Sequence, residues 1–150
     1  MKTRFNKILS VLLVLIMLVS AVPLTVSAAT SGMCGDNLYW SFDEATGELT
    51  ISGEGEMANY SWSYDVPWCD YTESIKSVVI GEEVTSLGYC AFQDCVNLKN
   101  VVIPNKVISI GFSAFEDCRN LTTVTIGDGL TYIGYRAFRG CSSLVSINIP

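Results

Sequence analysis

Six cysteines and fifteen carboxylates are the side chains of this 150-residue chain with the clearest chemical potential, and the chain contains no histidine. The lack of histidine removes Ser-His and Cys-His nucleophilic pairs, together with the commonest transition-metal ligand. Two carboxylates can cleave glycosidic bonds, but they must face each other across a cleft at a controlled separation. No pair is singled out by its spacing. We therefore expect no catalytic residue, no cofactor and no enzymatic activity.

Three of the cysteines recur at a constant spacing, at Cys95, Cys118 and Cys141. Positions that recur in this way lie above one another in stacked turns, about 4.8 Å apart, with parallel side chains. Such a column does not converge on one point, as the ligands of a zinc or iron–sulfur site must. The spacing therefore predicts buried free thiols that pack as small hydrophobic groups, and no metal site.

The other three cysteines, Cys34, Cys69 and Cys90, follow no common column. Cys90 shares its column with Ser113 and Arg136, so we expect its side chain to face solvent. From there it could form a disulfide with Cys69, and two free thiols are the alternative.

Carboxylates also stack at the repeat spacing. Asp94 and Asp117 share a column that continues with Gly140. Oxygen ligands on adjacent turns could bind Ca²⁺, but the usual acidic loop with its glycine bend is missing, so solvated turn residues are expected instead. In the neighbouring column, Glu116 and Arg139 are predicted to form an ion pair worth at most about 1 kcal/mol if it is exposed.

These columns belong to a 23-residue repeat in the second half of the chain. Its turns are residues 75–97, 98–120 and 121–143, and a partial turn follows at 144–150. Repeats of 20–50 residues are typical of solenoids, in which each turn buries its apolar face only by stacking on its neighbours. The matched columns include Val78/Val101/Val124/Ile147, Ile80/Ile103/Ile126/Ile149, Leu87/Ile110/Ile133, Gly88/Gly111/Gly134 and Phe92/Phe115/Phe138.

Each turn has a predictable geometry. The alternation around Val101 and Ile103 predicts a short strand with both side chains pointing inward, and stacked strands form a parallel sheet. The recurrent glycine suits either a positive φ or a close approach of two backbones. The structural core is predicted to comprise the phenylalanine column (Phe92, Phe115, Phe138) and the cysteine column (Cys95, Cys118, Cys141), with Phe115 at its centre.

The unit L-x-x-V-x-I-P-x-x-V-x-x-I-G-x-x-A-F-x-x-C-x-x, clearest in residues 98–120, resembles the BspA-like leucine-rich repeat. The segment before it, with Cys34-Gly35-Asp36 and Pro67-Trp68, resembles the lead-in found before such arrays. The resemblance implies a leucine-rich-repeat solenoid with short parallel strands on one side and turns or short helical segments on the other. It also implies a secreted or surface-displayed protein, as family members are, and some of those members are adhesins that bind host matrix proteins or other cells.

The first 28 residues are predicted to be a secretory signal peptide. Three basic residues precede an apolar run over 8–19, and a small-residue cleavage site ends at Ala28. The run is shorter than the roughly 20 residues needed to cross a bilayer. We therefore expect a protein that is secreted, either released or displayed on the cell surface, with no membrane span in the mature chain. The predicted domains are a signal peptide (1–28), an amino-terminal β-rich cap (29–74) and the repeat array (75–150).

Removal of the leader leaves six basic and fifteen acidic side chains, a net charge of −9. Affinity for nucleic acid comes largely from lysine and arginine. We therefore expect no nucleic-acid partner.

The cap segment contains all three tryptophans of the chain. Alternating apolar residues over 38–42 and 49–51, with a turn around Gly47, predict a β-hairpin with one buried face. Two interpretations of the remaining aromatic residues stay open. They either cover the end of the array, as solenoids require, or form an exposed binding patch. The residues concerned are Tyr60, Trp62, Tyr64 and Trp68.

Two surfaces of the array are candidates for ligand contact. The outward positions of the strands form a flat face of small, mostly uncharged side chains. A column of rings runs along another side, and its members either bind a protein or sugar, or lie packed against neighbouring turns. The possible ligand-facing residues are Ser77, Val79, Asn100, Val102, Thr123 and Thr125 on the strands, and Tyr89, Phe112 and Tyr135 in the column.

The leading functional hypothesis is a secreted or cell-surface leucine-rich repeat protein that mediates protein–protein interaction or cell adhesion. The alternative is a glycan-binding or structural accessory module of a larger exported protein. The first predicts a protein or cell-surface ligand, and the second allows a glycan.

Overall fold

The structure, a computed structural model, describes residues 30–149, so the predicted signal peptide lies outside the described residues. Short strands account for nearly all regular structure in this range, with one turn of 3-10 helix at Cys69–Tyr71. No helix within residues 30–149 has the length and apolar character to cross a membrane. The strands are β1 (Thr30–Met33), β2 (Leu38–Asp43), β3 (Glu48–Gly53), β4 (Gly55–Glu56), β5 (Ser77–Ile80), β6 (Val84–Leu87), β7 (Asn100–Ile103), β8 (Ser109–Ile110), β9 (Thr123–Ile126), β10 (Tyr132–Ile133) and β11 (Ser146–Asn148).

The first strand of each turn stacks on its equivalents in parallel. Asn100 of β7 pairs with Thr123 of β9, which pairs in turn with Ser146 of β11. Every step advances by one repeat, and the predicted solenoid of 23-residue turns is confirmed. Inward and outward side chains alternate along β7 and β9 as the apolar pattern predicts.

Two further ladders close the coil. Strands β4, β6, β8 and β10 form a second parallel sheet. On the remaining side the backbone forms turns, yet these also bond to one another. The Phe92 N–H donates to the carbonyl of Ala114, and the Phe115 N–H donates to that of Ala137, each at 2.8 Å. The side opposite the strands is therefore built from turns rather than helices.

The phenylalanine column forms the centre of the core. The rings of Phe92 and Phe115 lie 5.0 Å apart between centroids, and those of Phe115 and Phe138 lie 5.4 Å apart and nearly parallel. Phe92 and Phe115 are fully buried, whereas Phe138 is partly buried against the same cluster. Ring stacking of this kind adds to the free energy gained from burial of apolar area.

The recurrent glycine allows two backbones to come into contact. A Cβ atom on Gly111 would lie 2.7 Å from the carbonyl carbon of Gly88, and one on Gly134 would lie 2.5 Å from that of Gly111. Positive φ angles occur two residues later instead, at Cys90 (55°), Ser113 (53°) and Arg136 (62°). Of the two roles expected for these glycines, close approach is therefore the one observed.

The lead-in segment forms the predicted hairpin from β2 and β3, with β1 added along its outer edge. The hairpin turn uses Gly47 at a φ of 75°, and the Gly47 N–H donates to the Asp43 carbonyl. Strand β3 then pairs in parallel with β5, and β4 pairs with β6. The segment thus continues the strand columns of the array towards the amino terminus.

Candidate interaction surfaces

The outward strand face consists of short polar and aliphatic side chains. Val102 projects from the middle of β7 and Val79 from β5, and both are exposed. The Thr122 hydroxyl donates to Asn100 Oδ1 at 3.1 Å, which fixes one side chain at the edge of this face. No charged residue interrupts the predicted positions. They are Ser77, Val79, Asn100, Val102, Thr123 and Thr125, all exposed except for the partly buried Ser77.

The aromatic column is both packed and exposed. Tyr89 and Phe112 meet edge to face, with centroids 6.4 Å apart, and Phe112 lies 6.1 Å from Tyr135. The exposed fractions are nevertheless 48%, 38% and 70% for Tyr89, Phe112 and Tyr135. The two alternatives posed by the sequence are thus not exclusive, because each ring rests on the next and still presents a surface to solvent.

A loop of the lead-in segment lies beside this column. The Tyr89 N–H donates to Asn59 Oδ1 at 2.9 Å, and the Tyr60 N–H donates to the Tyr89 carbonyl at 3.1 Å. Trp62 and Tyr64 project from the same loop and stack on each other, with centroids 6.2 Å apart. Both rings are more than half exposed. The exposed aromatic surface therefore extends beyond the repeat column.

The other two aromatic residues of the predicted patch belong to the core. Trp68 is fully buried and stacks on Phe92 at 5.9 Å, and its Nε1–H donates to the Ala91 carbonyl at 2.9 Å. Tyr60 is partly buried and meets Trp68 edge to face. Trp68 thus covers the first phenylalanine, as the cap interpretation predicts, whereas Trp62 and Tyr64 fit the exposed patch.

The cysteine column lies inside the solenoid as free thiols. The Cys118 Sγ–H donates to the Phe92 carbonyl and the Cys141 Sγ–H to the Phe115 carbonyl, both at 3.1 Å. Burial raises the pKa of Cys95, with a further contribution from Asp94. A hydrogen bond with Cys141 and burial raise the pKa of Cys118. Burial thus favours the protonated form of Cys95 and Cys118, whereas the hydrogen bond with Cys118 lowers the pKa of Cys141.

Cys90 does not face solvent, so that expectation is wrong. Its thiol is covered by the lead-in segment, where the Sγ–H donates to the Ser61 carbonyl at 3.7 Å. Cys69 and Cys90 are both free, as is the buried Cys34, whose pKa is raised by burial to about 12.

The Asp94 and Asp117 column is explained by backbone geometry. Their φ angles are 62° and 59°, and Gly140 adopts 74° at the equivalent position. Aspartate tolerates this left-handed region better than most residues do. Asp94 also accepts a hydrogen bond from the Ser63 hydroxyl at 2.8 Å. Among residues 30–149, no three His, Cys, Asp or Glu side chains gather where they could hold a metal ion.

The predicted ion pair between turns is present. Arg139 Nη1 lies 2.9 Å from Glu116 Oε1. Glu116 is buried, with an exposed fraction of 6%, although Arg139 is largely exposed. A buried carboxylate requires such a partner, because an unpaired buried charge is strongly destabilising.

Comparison with known proteins supports the repeat assignment. A family model described as "BspA type Leucine rich repeat region (6 copies)" matches residues 68–150. No curated protein matches the chain.

Three solved structures are similar to parts of the chain. A leucine-rich repeat protein from Eubacterium ventriosum is 29% identical with a TM-score of 0.70, over 75% of this chain and 30% of its own. One from Bacteroides ovatus is 31% identical with a TM-score of 0.49, over 50% of this chain and 20% of its own. A leucine-rich cell surface protein from Faecalibacterium prausnitzii is 18% identical with a TM-score of 0.47, over 77% of this chain and 38% of its own. The chain thus spans less than a third of the Eubacterium protein.

Proposed function

Because the chain belongs to the BspA-type leucine-rich repeat family, whose repeats generally serve as protein-interaction modules, we propose that it is an exported adhesive module. Its ligand is a protein on a cell surface or in an extracellular matrix. The observation that carries this proposal is the exposed aromatic column. Binding, rather than catalysis, is the role that a rigid solenoid with such a surface supports.

The column has the physical properties of a protein-binding hot spot. Tyr89, Phe112 and Tyr135 contact one another in sequence, so their rings are held in place before a ligand arrives. Aromatic side chains that are ordered in advance lose little conformational entropy on binding and bury a large area. Contiguous exposed rings of this kind mark interaction sites on soluble proteins.

The strand face is the second contact surface in this proposal. Its side chains are small, so each one buries little area against a partner. Val102 is its most prominent apolar group. We therefore assign most of the binding free energy to the rings and a supporting role to the strands.

The binding proposal is tested with the purified protein on immobilised collagen, laminin and fibronectin. The double substitution Tyr89→Ser/Tyr135→Ser should weaken binding by between about 30-fold and about 1,000-fold, because the loss of one hot-spot residue costs about 2 kcal/mol and the two losses need not add. Tyr39→Ser is the matched control, since Tyr39 lies on β2 and is 50% exposed against 48% for Tyr89. Equal affinities for the double variant and the control would refute a role of the column, and Val102→Lys would then test the strand face.

Export is tested separately. We propose that residues 1–28 direct secretion, so the full sequence expressed in a bacterial host should release a protein that begins at Ala29 or Thr30. Amino-terminal sequencing of the protein in the medium checks this. A chain retained in the cytoplasm with Met1 intact would contradict it.

A further inference from the structure

A cavity of about 320 Å³ separates the Trp62 loop from the aromatic column. Trp62 from the loop and Phe112 from the column both line it, together with Arg136. Two elements distant in sequence therefore enclose one space, because the Tyr89 backbone fixes the loop through Asn59 and Tyr60. Neither the repeat pattern nor the aromatic composition indicates this cavity.

The cavity is also lined by polar side chains that lack partners. Ser113 is 1% exposed, and its Oγ finds no hydrogen-bond partner among residues 30–149. The buried Oε1 of Gln93, another lining residue, has none there either. Native proteins pair nearly all of their buried polar atoms, and an exception needs an explanation. Two such atoms beside one cavity point to a ligand that supplies hydroxyl groups.

We infer that this cavity binds one uncharged saccharide unit. The two rings would contact the apolar faces of the sugar ring, while Ser113 and Gln93 would hydrogen-bond its hydroxyl groups. A mixture of apolar walls and a few convergent polar groups is typical of small-ligand sites.

The charges around the cavity favour a neutral ligand over an ion. Glu116 lines the cavity but is already paired with Arg139 at 2.9 Å, so it offers no unpaired negative charge to an ammonium group. Arg136, which also lines the cavity, places a positive charge there, so the lining carries charges of both signs rather than an excess of one. Burial raises the pKa of Cys90, and the carboxylates of Glu116, Asp65 and Asp94 raise it further, so acidic groups lie near this wall as well.

The intrinsic fluorescence of Trp62 is the signal by which the test detects sugar binding. Trp40 and Trp68 are buried, so the fluorescence of Trp62, which is exposed, should respond to a sugar that enters the cavity. Glucose, galactose, N-acetylglucosamine and sialic acid are titrated into the purified protein, with lysine amide as a cationic probe. We expect saturable binding of at least one neutral sugar that is tighter than any binding of sialic acid or lysine amide, and a loss of the signal in Trp62→Phe.

Substitutions of the polar side chains that line the cavity then distinguish a specific site from non-specific contact of a sugar with an exposed aromatic ring. Ser113→Ala should weaken sugar binding by about tenfold, as expected for the loss of one hydrogen bond in a confined site. It should not lower the melting temperature, because the hydroxyl has no protein partner. Ser109→Ala, on β8 of the same turn, is the matched control and should leave both quantities unchanged.

Two results would overturn the inference. Saturable binding of lysine amide in place of sugars would identify a cation site, and equal sugar affinities in Ser113→Ala and Ser109→Ala would show that the cavity is not used. The outcome does not depend on the adhesion proposal. Val102→Lys, on the strand face, should leave sugar binding unchanged, since Val102 does not line the cavity.

Discussion

The two ends of the described solenoid bury the same repeat columns to different extents. At the amino-terminal end, Leu87 and Phe92 are fully buried beneath the lead-in segment. In the third turn, the equivalent Ile133 is exposed and Phe138 is only partly buried. Each turn of a solenoid is stabilised by neighbours on both sides. The position of a residue in the repeat therefore specifies where its side chain points, whereas the presence of a neighbouring turn above it decides whether that side chain is buried.

The lead-in segment provides this cover without a repeat sequence of its own. Strand β3 occupies the column of β5, and β4 occupies that of β6. Trp68 takes the place of a phenylalanine over Phe92. The segment thus joins the array through backbone pairing and one large ring, although the repeat family model matches only its last residues, from Trp68 onwards.

The largest expected effect contrasts two phenylalanines of one column. Phe115→Ala should lower the free energy of unfolding by about 3–5 kcal/mol, since it leaves a cavity between two stacked rings. Phe138→Ala should cost about 1–2 kcal/mol, because Phe138 is only partly buried. Urea titration of both variants measures the difference. Equal losses, or a loss below about 1 kcal/mol for Phe115→Ala, would contradict the difference in burial between the two rings.

A second contrast tests the cover at the amino-terminal end. Trp68→Ala should cost about 3 kcal/mol, because it removes a buried ring and the hydrogen bond to Ala91. Trp62→Ala, a matched change of an exposed tryptophan in the same segment, should cost less than about 0.5 kcal/mol. Thermal unfolding followed by circular dichroism compares the two. Similar melting temperatures would mean that Trp68 does not cover the array.

Ion pairs between turns should differ according to burial. Arg139→Ala should cost about 1–3 kcal/mol, because it leaves the buried Glu116 carboxylate without its partner. Lys106→Ala removes an exposed pair with Glu83 and should cost less than about 1 kcal/mol. Denaturant titrations in low and high salt measure both. Salt should reduce the Lys106 effect more, and the opposite order would contradict the burial of Glu116.

The smallest effect concerns the thiols. At pH 8 in the folded protein, the partly exposed Cys69 and Cys141 should be alkylated before the buried cysteines. Burial also raises the pKa of Cys34 from 9.0 to about 12, so the contribution of Cys34 to the free energy of unfolding is full below pH 9 and is lost as the pH rises towards 12. Mass spectrometry after timed iodoacetamide treatment measures the order of alkylation, and urea titrations at pH 8 and pH 11 measure the loss of stability. Early labelling of Cys34 would show that the lead-in segment opens readily.

Several features of the fold and of the surfaces were predictable from one turn and its repetition. The alternation of Val101 and Ile103 identified a strand, and the constant offset placed Glu116 beside Arg139. The aromatic column followed from the same offset. Such predictions succeed because a solenoid converts a sequence period directly into a spatial neighbour.

Features that depend on non-repeating contacts were not predictable. Cys90 was expected at the surface but is buried by the backbone of Ser61, which belongs to another segment. The cavity between Trp62 and Phe112 arises in the same way, because the loop that carries Trp62 is fixed by hydrogen bonds to the Tyr89 backbone. No pattern in either segment specifies where the loop comes to rest.

The amino-acid sequence by itself determined the period, the inward and outward positions, and the columns that stack, because each is local or repeats at a constant step. The tertiary structure decided which members of a column are covered, which aromatic side chains of the lead-in stay exposed, and which polar atoms lack partners. These depend on how a non-repeating segment packs on the array, and that packing is determined by long-range contacts rather than by local pattern.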